Sequence, residues 1–237
     1  MTQNNIQILD ELLGPEQSEP ETVDFNNLTP LENVDELFLI VDRSGSMNRI
    51  KDDAEGGVNA FIDEQQEDGE ANITLVEFDH AYDEVYSRIP ITNAPSYTLR
   101  PRGRTALLDA IGRTLQTYRD VQTTGKMVCV IVTDGHERDS TEWDRAGIKL
   151  LIEDLRESGW EFVFLAADED ALEDSTNWGM QLDSSMVFDR AQGGAQNAAY
   201  AAIGTYTTSL RSGKSRADSI ADMDEMIKGV SSVKKLS

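Results

Sequence analysis

The chain has 237 residues, enough for one sizeable domain with extensions, and carries 44 Asp and Glu against 21 Lys and Arg, a formal charge of -23. A field of that sign repels nucleic acid phosphates and anionic lipid, which argues against nucleic acid and membrane-surface binding and favours cations and basic partner surfaces. The single cysteine, Cys129, rules out an internal disulfide framework and any thiolate metal cluster.

Seven lysines against 14 arginines, 24 Asp against 20 Glu and 7% aromatics fit a halophilic surface kept hydrated at high salt, and equally an ordinary acidic one. The N-terminus lacks the basic start and apolar run of a signal peptide. No stretch approaches the roughly 20 apolar residues of a membrane span. The expected setting is the cytoplasm or a virion.

In chain order, residues 1–34 read as an acidic arm, and through residue 36 there are nine acidic and no basic side chains. Ile6, Leu9, Leu12 and Leu13 can form one face of a short helix within it. Alternating strand and helix patterns then run through a domain at 35–212. Strands are expected at Glu36–Val41, Ile73–Phe78, Glu84–Ile91, Met127–Thr133, Glu161–Ala166 and Met186–Phe188. Met47, Ile50, Ala54, Val58, Phe61 and Ile62 recur at helical spacing, and Ala106–Tyr118, Glu142–Glu157 and Ala195–Leu210 supply further helices. Residues 213–237 read as an amphipathic helix, with Ile220, Met223, Ile227 and Val230 on one stripe and a basic tip at Lys234 and Lys235.

Strands separated by helices imply a parallel sheet covered on both faces. The link "FDHAY" is too short for a crossover helix, so the second and third strands form an antiparallel hairpin. The expected class is α/β, Rossmann-like, with a mixed, mostly parallel sheet, one antiparallel strand and helices on both faces.

Ligands of such sheets collect at the carboxyl ends of strands. Asp42 follows the first strand in "LFLIVDRSGSM", Asp134 follows another in "VTDG", and "PRGRTALLDAIG" presents Thr105 at a helix start. Asp42, Ser44, Ser46, Thr105 and Asp134 are all hard oxygen donors, a set that suits Mg²⁺ or Mn²⁺. Alternate residues of an extended turn face one way, so Asp42, Ser44 and Ser46 converge, while Gly45 permits a dihedral that a larger residue resists.

"DRSGS", "GRTAL" and "TDG", in this order, resemble the D-x-S-x-S, threonine and aspartate signature of von Willebrand factor type A (vWA) domains. The resemblance runs from about Leu37 to about Leu210. It implies a metal-ion-dependent adhesion site (MIDAS) in which Ser44 and Ser46 coordinate the ion and Thr105 binds it directly or through water. Asp42 and Asp134 then act mostly through bound water or by orienting the hydroxyls. Two carboxylates only neutralise the dication, so an open position favours an acidic side chain of a partner protein.

Arg43, Arg49, Arg100, Arg102 and Arg104 fall in the loops expected at the rim, where they can offset the negative field. His136 and Glu137 read as an exposed loop pair, and Asp79 with His80 as a hairpin turn. Trp143, Trp160 and Trp178 read as packing residues, and "AQGGAQNAA" lacks the Lys-Ser/Thr ending of a phosphate-binding loop.

The leading function is metal-dependent protein recognition by a non-enzymatic module, with an exposed Asp or Glu of the partner as ligand. A structural or attachment subunit of a virion or surface assembly is the alternative, since the arm and terminal helix suit a larger particle. A Mg²⁺-dependent phosphoester hydrolase is the third reading. It needs a positioned general acid or base, and the two histidines have no convincing partner.

Overall fold

The computed structural model describes residues 28–134, 137–167, 180, 184–189 and 195–235. Most of the acidic arm, His136, Trp178 and the glycines of "AQGG" lie outside the described residues.

The apolar runs become strands that are buried almost throughout. β1 (Asp35–Asp42), β2 (Ala71–Phe78), β4 (Met127–Thr133) and β5 (Trp160–Ala166) are nearly continuous in burial, as strands covered on both faces must be. With β3 (Tyr82–Pro90), β6 (Ser185–Phe188) and β7 (Val233–Lys235) they form one seven-stranded sheet in the order β3-β2-β1-β4-β5-β6-β7. β1 pairs in parallel with β2 and β4, and β5 in parallel with β4 and β6. β2 and β3 pair antiparallel through the short "FDHAY" link. The fold is α/β and Rossmann-like.

A difference appears at the end of the chain. The segment read as a basic tip forms β7, where Lys234 pairs with Val187 and Lys235 with Met186, antiparallel to β6. An exposed lysine on an outermost strand discourages further edge pairing, so Lys234 suits this place.

Side chains alternate across the central strands. Leu37, Leu39 and Val41 of β1 and Val128, Val130 and Val132 of β4 join the core under α1 (Lys51–Glu67), α4 (Ala195–Arg211) and α5 (Arg216–Ile227). Phe38, Ile40, Cys129 and Ile131 face the opposite core, under α2 (Leu107–Tyr118) and α3 (Arg145–Glu157). Cys129 is fully buried there, and burial pushes its thiol well above the ordinary range. Met223 of α5 is also fully buried, so the terminal helix packs on the body. Trp143 and Trp160 pack against or within the second core, as expected of packing residues.

Helix starts carry local signals. Asp144 caps α3 by accepting the Gly147 N–H, and Ser215 caps α5 by accepting the Asp218 N–H. The helix read from Met47 starts later because Gly45–Arg49 form a short 3-10 turn first. Among the described residues no helix is long and apolar enough to cross a membrane.

Candidate metal centre

β1, β2 and β4 point their carboxyl ends the same way, which brings three loops together above the sheet. Two main-chain bonds stitch the loop of Asp42–Ser46 to the loop of Arg102–Thr105: Arg102 N–H donates to Arg43 O at 2.7 Å, and Gly45 N–H to Gly103 O at 3.2 Å. The Arg43 N–H donates to Phe78 O at 2.8 Å and ties the first loop to the end of β2.

Asp42 forms the floor. It is fully buried, with one carboxylate oxygen accepting the Ser44 N–H at 2.6 Å and the other accepting the Thr133 hydroxyl at 2.6 Å. Burial pushes its carboxyl up to about 7 and the Asp134 charge adds to the rise, against the lowering effect of the Thr133 and Ser44 hydrogen bonds. The Ser44 and Ser46 hydroxyls lie 3.0 Å apart, and Ser46 Oγ donates to Asp134 Oδ1 at 2.6 Å. Ser44, Thr105 and Asp134 are buried and Ser46 is exposed, so one donor of the set opens to solvent. The Thr105 carbonyl accepts the N–H groups of Arg138 and Asp139 at 3.0 and 3.1 Å, which fixes this loop against the one after β4. Asp42, the last residue of β1, and Ser44, Ser46, Thr105 and Asp134, on the loops beyond the strands, therefore lie at one end of the sheet.

Several sequence expectations are corrected. Gly45 is not among the residues with positive φ; the position that requires glycine is Gly103, at φ 69°, where a Cβ would come within 2.3 Å of His80 Nδ1. Arg43 does not reach solvent at a basic rim. Its side chain is buried, makes ion pairs with Glu77 and Asp83, and brings Nε to 3.3 Å from Asp79. Arg102 pairs with Asp79 and Asp83, and Arg104 with Asp139, so nearby acids already answer these charges. Arg49 and Arg100 are exposed. Glu137 is a structural acceptor rather than a loose loop residue. It takes the N–H groups of Leu108, Asp139 and Ser140 and the Ser140 hydroxyl, capping α2.

Sequence reasoning missed Asp79. It is fully buried, and although burial pushes its carboxyl up, the Ala81 N–H, Arg102 and Arg43 outweigh this and hold it below the ordinary range. It also missed Asp109, which accepts the N–H groups of Thr141, Glu142 and Trp143 and delays the start of α3 to Arg145. Asp79 reads locally as a turn residue and Asp109 as one more position of an expected helix, because their partners come from loops distant in sequence.

Among the described residues no group of three or more His, Cys, Asp and Glu side chains is placed to hold a metal ion. Any ion at this sheet end would therefore depend on the hydroxyls of the set. Adjacent ligands of an octahedral Mg²⁺ with bonds of 2.0–2.1 Å lie about 2.9 Å apart. The Ser44–Ser46 separation is that of a hydrogen bond between the two hydroxyls and also fits that spacing.

Strand order, strand directions and helices on both faces are those of the von Willebrand factor type A fold. No family model matches the sequence, and no curated protein does. Similar solved structures include the pilus adhesin SpaC from Lactobacillus rhamnosus GG, with 16% identity over 78% of this chain and 31% of that one, at a TM-score of 0.59. A von Willebrand factor type A protein from Catenulispora acidiphila is 16% identical over 75% of this chain and 43% of that one, at a TM-score of 0.55. The manganese-loaded TRAP protein of Plasmodium vivax is 16% identical over 69% of this chain and 72% of that one, at a TM-score of 0.51. The chain spans less than half the length of the first two.

Proposed function

We propose that this chain is a metal-dependent protein-binding module in which Mg²⁺ or Mn²⁺, held by Asp42, Ser44, Ser46, Thr105 and Asp134, captures an acidic side chain of a partner. The observation that carries the reading is the Ser44–Ser46 pair at 3.0 Å above two buried carboxylates, with Ser46 open to solvent. Ser44 and Ser46 would face the ion directly. Both Asp42 oxygens are engaged by the Ser44 N–H and Thr133 hydroxyl, which supports an outer, orienting place for that carboxylate. Neutral hydroxyls leave a bound dication electrophilic, and it would then supply an attachment point for a carboxylate.

Similarity in fold to a pilus adhesin and to a manganese-loaded protein supports the same reading. His80 sits beside Asp79, whose oxygens are taken by Arg102 and Ala81, and its ring lies against Gly103. This favours binding over hydrolysis.

The test is calorimetric titration of chelator-stripped protein with Mg²⁺ and Mn²⁺, beside an Asp42→Ala, Ser44→Ala double variant. Saturable binding in the parent and its loss in the variant are expected. Equal uptake by both proteins would mean that the ion answers only the overall negative charge, and the reading would fall. A pull-down with and without EDTA then tests the partner, whose capture must depend on the ion.

A further inference from the structure

Asp79 lies outside the five-residue set, yet it touches both loops that carry the set's hydroxyls. Its Oδ2 accepts a hydrogen bond from Arg102 Nε at 2.7 Å and lies 3.3 Å from Arg43 Nε. Its Oδ1 accepts the Ala81 N–H at 2.6 Å, and its main-chain carbonyl accepts the Ala106 N–H at 2.8 Å. In sequence, Arg43 stands between Asp42 and Ser44, Arg102 closely precedes Thr105, and Ala106 directly follows it. One fully buried carboxylate on the β2–β3 turn therefore hydrogen-bonds the threonine loop through Arg102 and lies against the Arg43 guanidinium of the serine loop as an ion pair without a hydrogen bond.

The physical demand on this group is high. A buried carboxylate is tolerated only where cations and N–H groups surround it, and breaking such a pair is far more disruptive than breaking a surface one. Replacing the carboxylate would loosen the two loops, leaving them joined by the Asp83 contacts to Arg43 and Arg102 and by the Arg102–Arg43 and Gly45–Gly103 main-chain bonds.

We infer that Asp79 is a positioning residue for the ion: through Arg43 and Arg102 it holds the serine loop and the threonine loop at the separation that ion binding requires. The inference rests on the metal-binding reading above. Groups that orient metal ligands without touching the ion typically carry 10–100-fold of its affinity.

Charge and positioning make opposite predictions at Arg102. Removing a positive charge near a cation site tightens binding if only the field matters, whereas loss of the Asp79–Arg102 bridge weakens it if loop spacing matters. Mg²⁺ titrations of the full chain are compared for the parent, Asp79→Asn, Arg102→Gln, Ser44→Ala and Arg211→Gln, each with its thermal midpoint. Arg211 lies at the other end of the sheet, paired with Asp35, and serves as a control for lost stability.

Asp79→Asn should bind about tenfold or more weakly and Arg102→Gln about three- to tenfold more weakly. Arg211→Gln should keep the parent affinity despite a lower midpoint. Arg102 is 57% exposed, so its variant decides the matter even where Asp79→Asn does not fold. Binding by Arg102→Gln as tight as the parent's, or tighter, overturns the positioning role. Parent uptake that persists in Ser44→Ala instead overturns the metal reading itself, and this role with it.

Discussion

Strand β1 carries an aspartate at each end, and the two carboxylates have different company. Asp35 accepts the Lys126 N–H at 2.7 Å and a hydrogen bond from Arg211 Nε at 2.9 Å. The Arg211 side chain is only 2% exposed and also donates to Gln65 and Gly69 carbonyls, so this end of the sheet is closed by a cation from the chain itself. Asp42 meets the Ser44 N–H, the Thr133 hydroxyl and the like charge of Asp134. A folded chain that neutralises one end of a strand and leaves the other with neutral donors has one end built for stability. The other keeps its carboxylate among neutral donors, the arrangement the proposed ion would use.

The comparison can be broken first at its stable end. Arg211→Met should lower unfolding free energy by about 3–5 kcal/mol, because Asp35 and the carbonyls of the α1–β2 loop lose a buried partner. Urea unfolding reads this loss, and Mg²⁺ affinity should not change.

A second test uses pH. The Asp42 carboxyl is raised in the folded state, so its contribution to stability is full below about pH 4 and is lost as pH rises through about 7. Metal-free protein should therefore lose on the order of 2–4 kcal/mol of this contribution across that window. The thermal gain from added Mg²⁺ should grow over the same range, since binding selects the ionised carboxylate. A gain that is flat from pH 5 to 8 would contradict the placement of Asp42 at the site.

Asp42→Asn sharpens the contrast by its sign. It removes a buried charge beside Asp134 while retaining an oxygen for the Ser44 N–H, so metal-free protein at pH 8 should gain about 1–2 kcal/mol and lose its response to Mg²⁺. Ser46→Ala should have the smallest effect on folding, within about 0.5 kcal/mol for an exposed side chain. Its calorimetric Mg²⁺ signal should nonetheless be lost or severely reduced.

How much of this was legible in the sequence follows from physics. Strands buried on both faces write themselves as uninterrupted apolar runs, and Met127–Thr133 is expected and observed over the same residues. β7 is three residues long and contains two lysines, too short for any period to register. The five candidate site residues stand at strand ends and a helix start, where small oxygen-bearing side chains have no packing reason to cluster. Asp79 was illegible because aspartate is common in hairpin turns and because Arg43 and Arg102, its partners, are remote in sequence. The same distance hid the fate of Arg43, whose neighbours in the chain give no hint of Glu77 or Asp83.

Cys129 turns the central strand into a built-in reporter. Its thiol sits at the middle of β4 with no exposed surface, in register with Phe38 on one side and Phe162 on the other. Only a thiolate reacts, and this one forms when β4 is opened to water. With a single cysteine in the chain, the rate of alkylation in native buffer becomes a clock for the opening of the whole sheet. An ion bound at 100 times its dissociation constant should slow that clock about 100-fold.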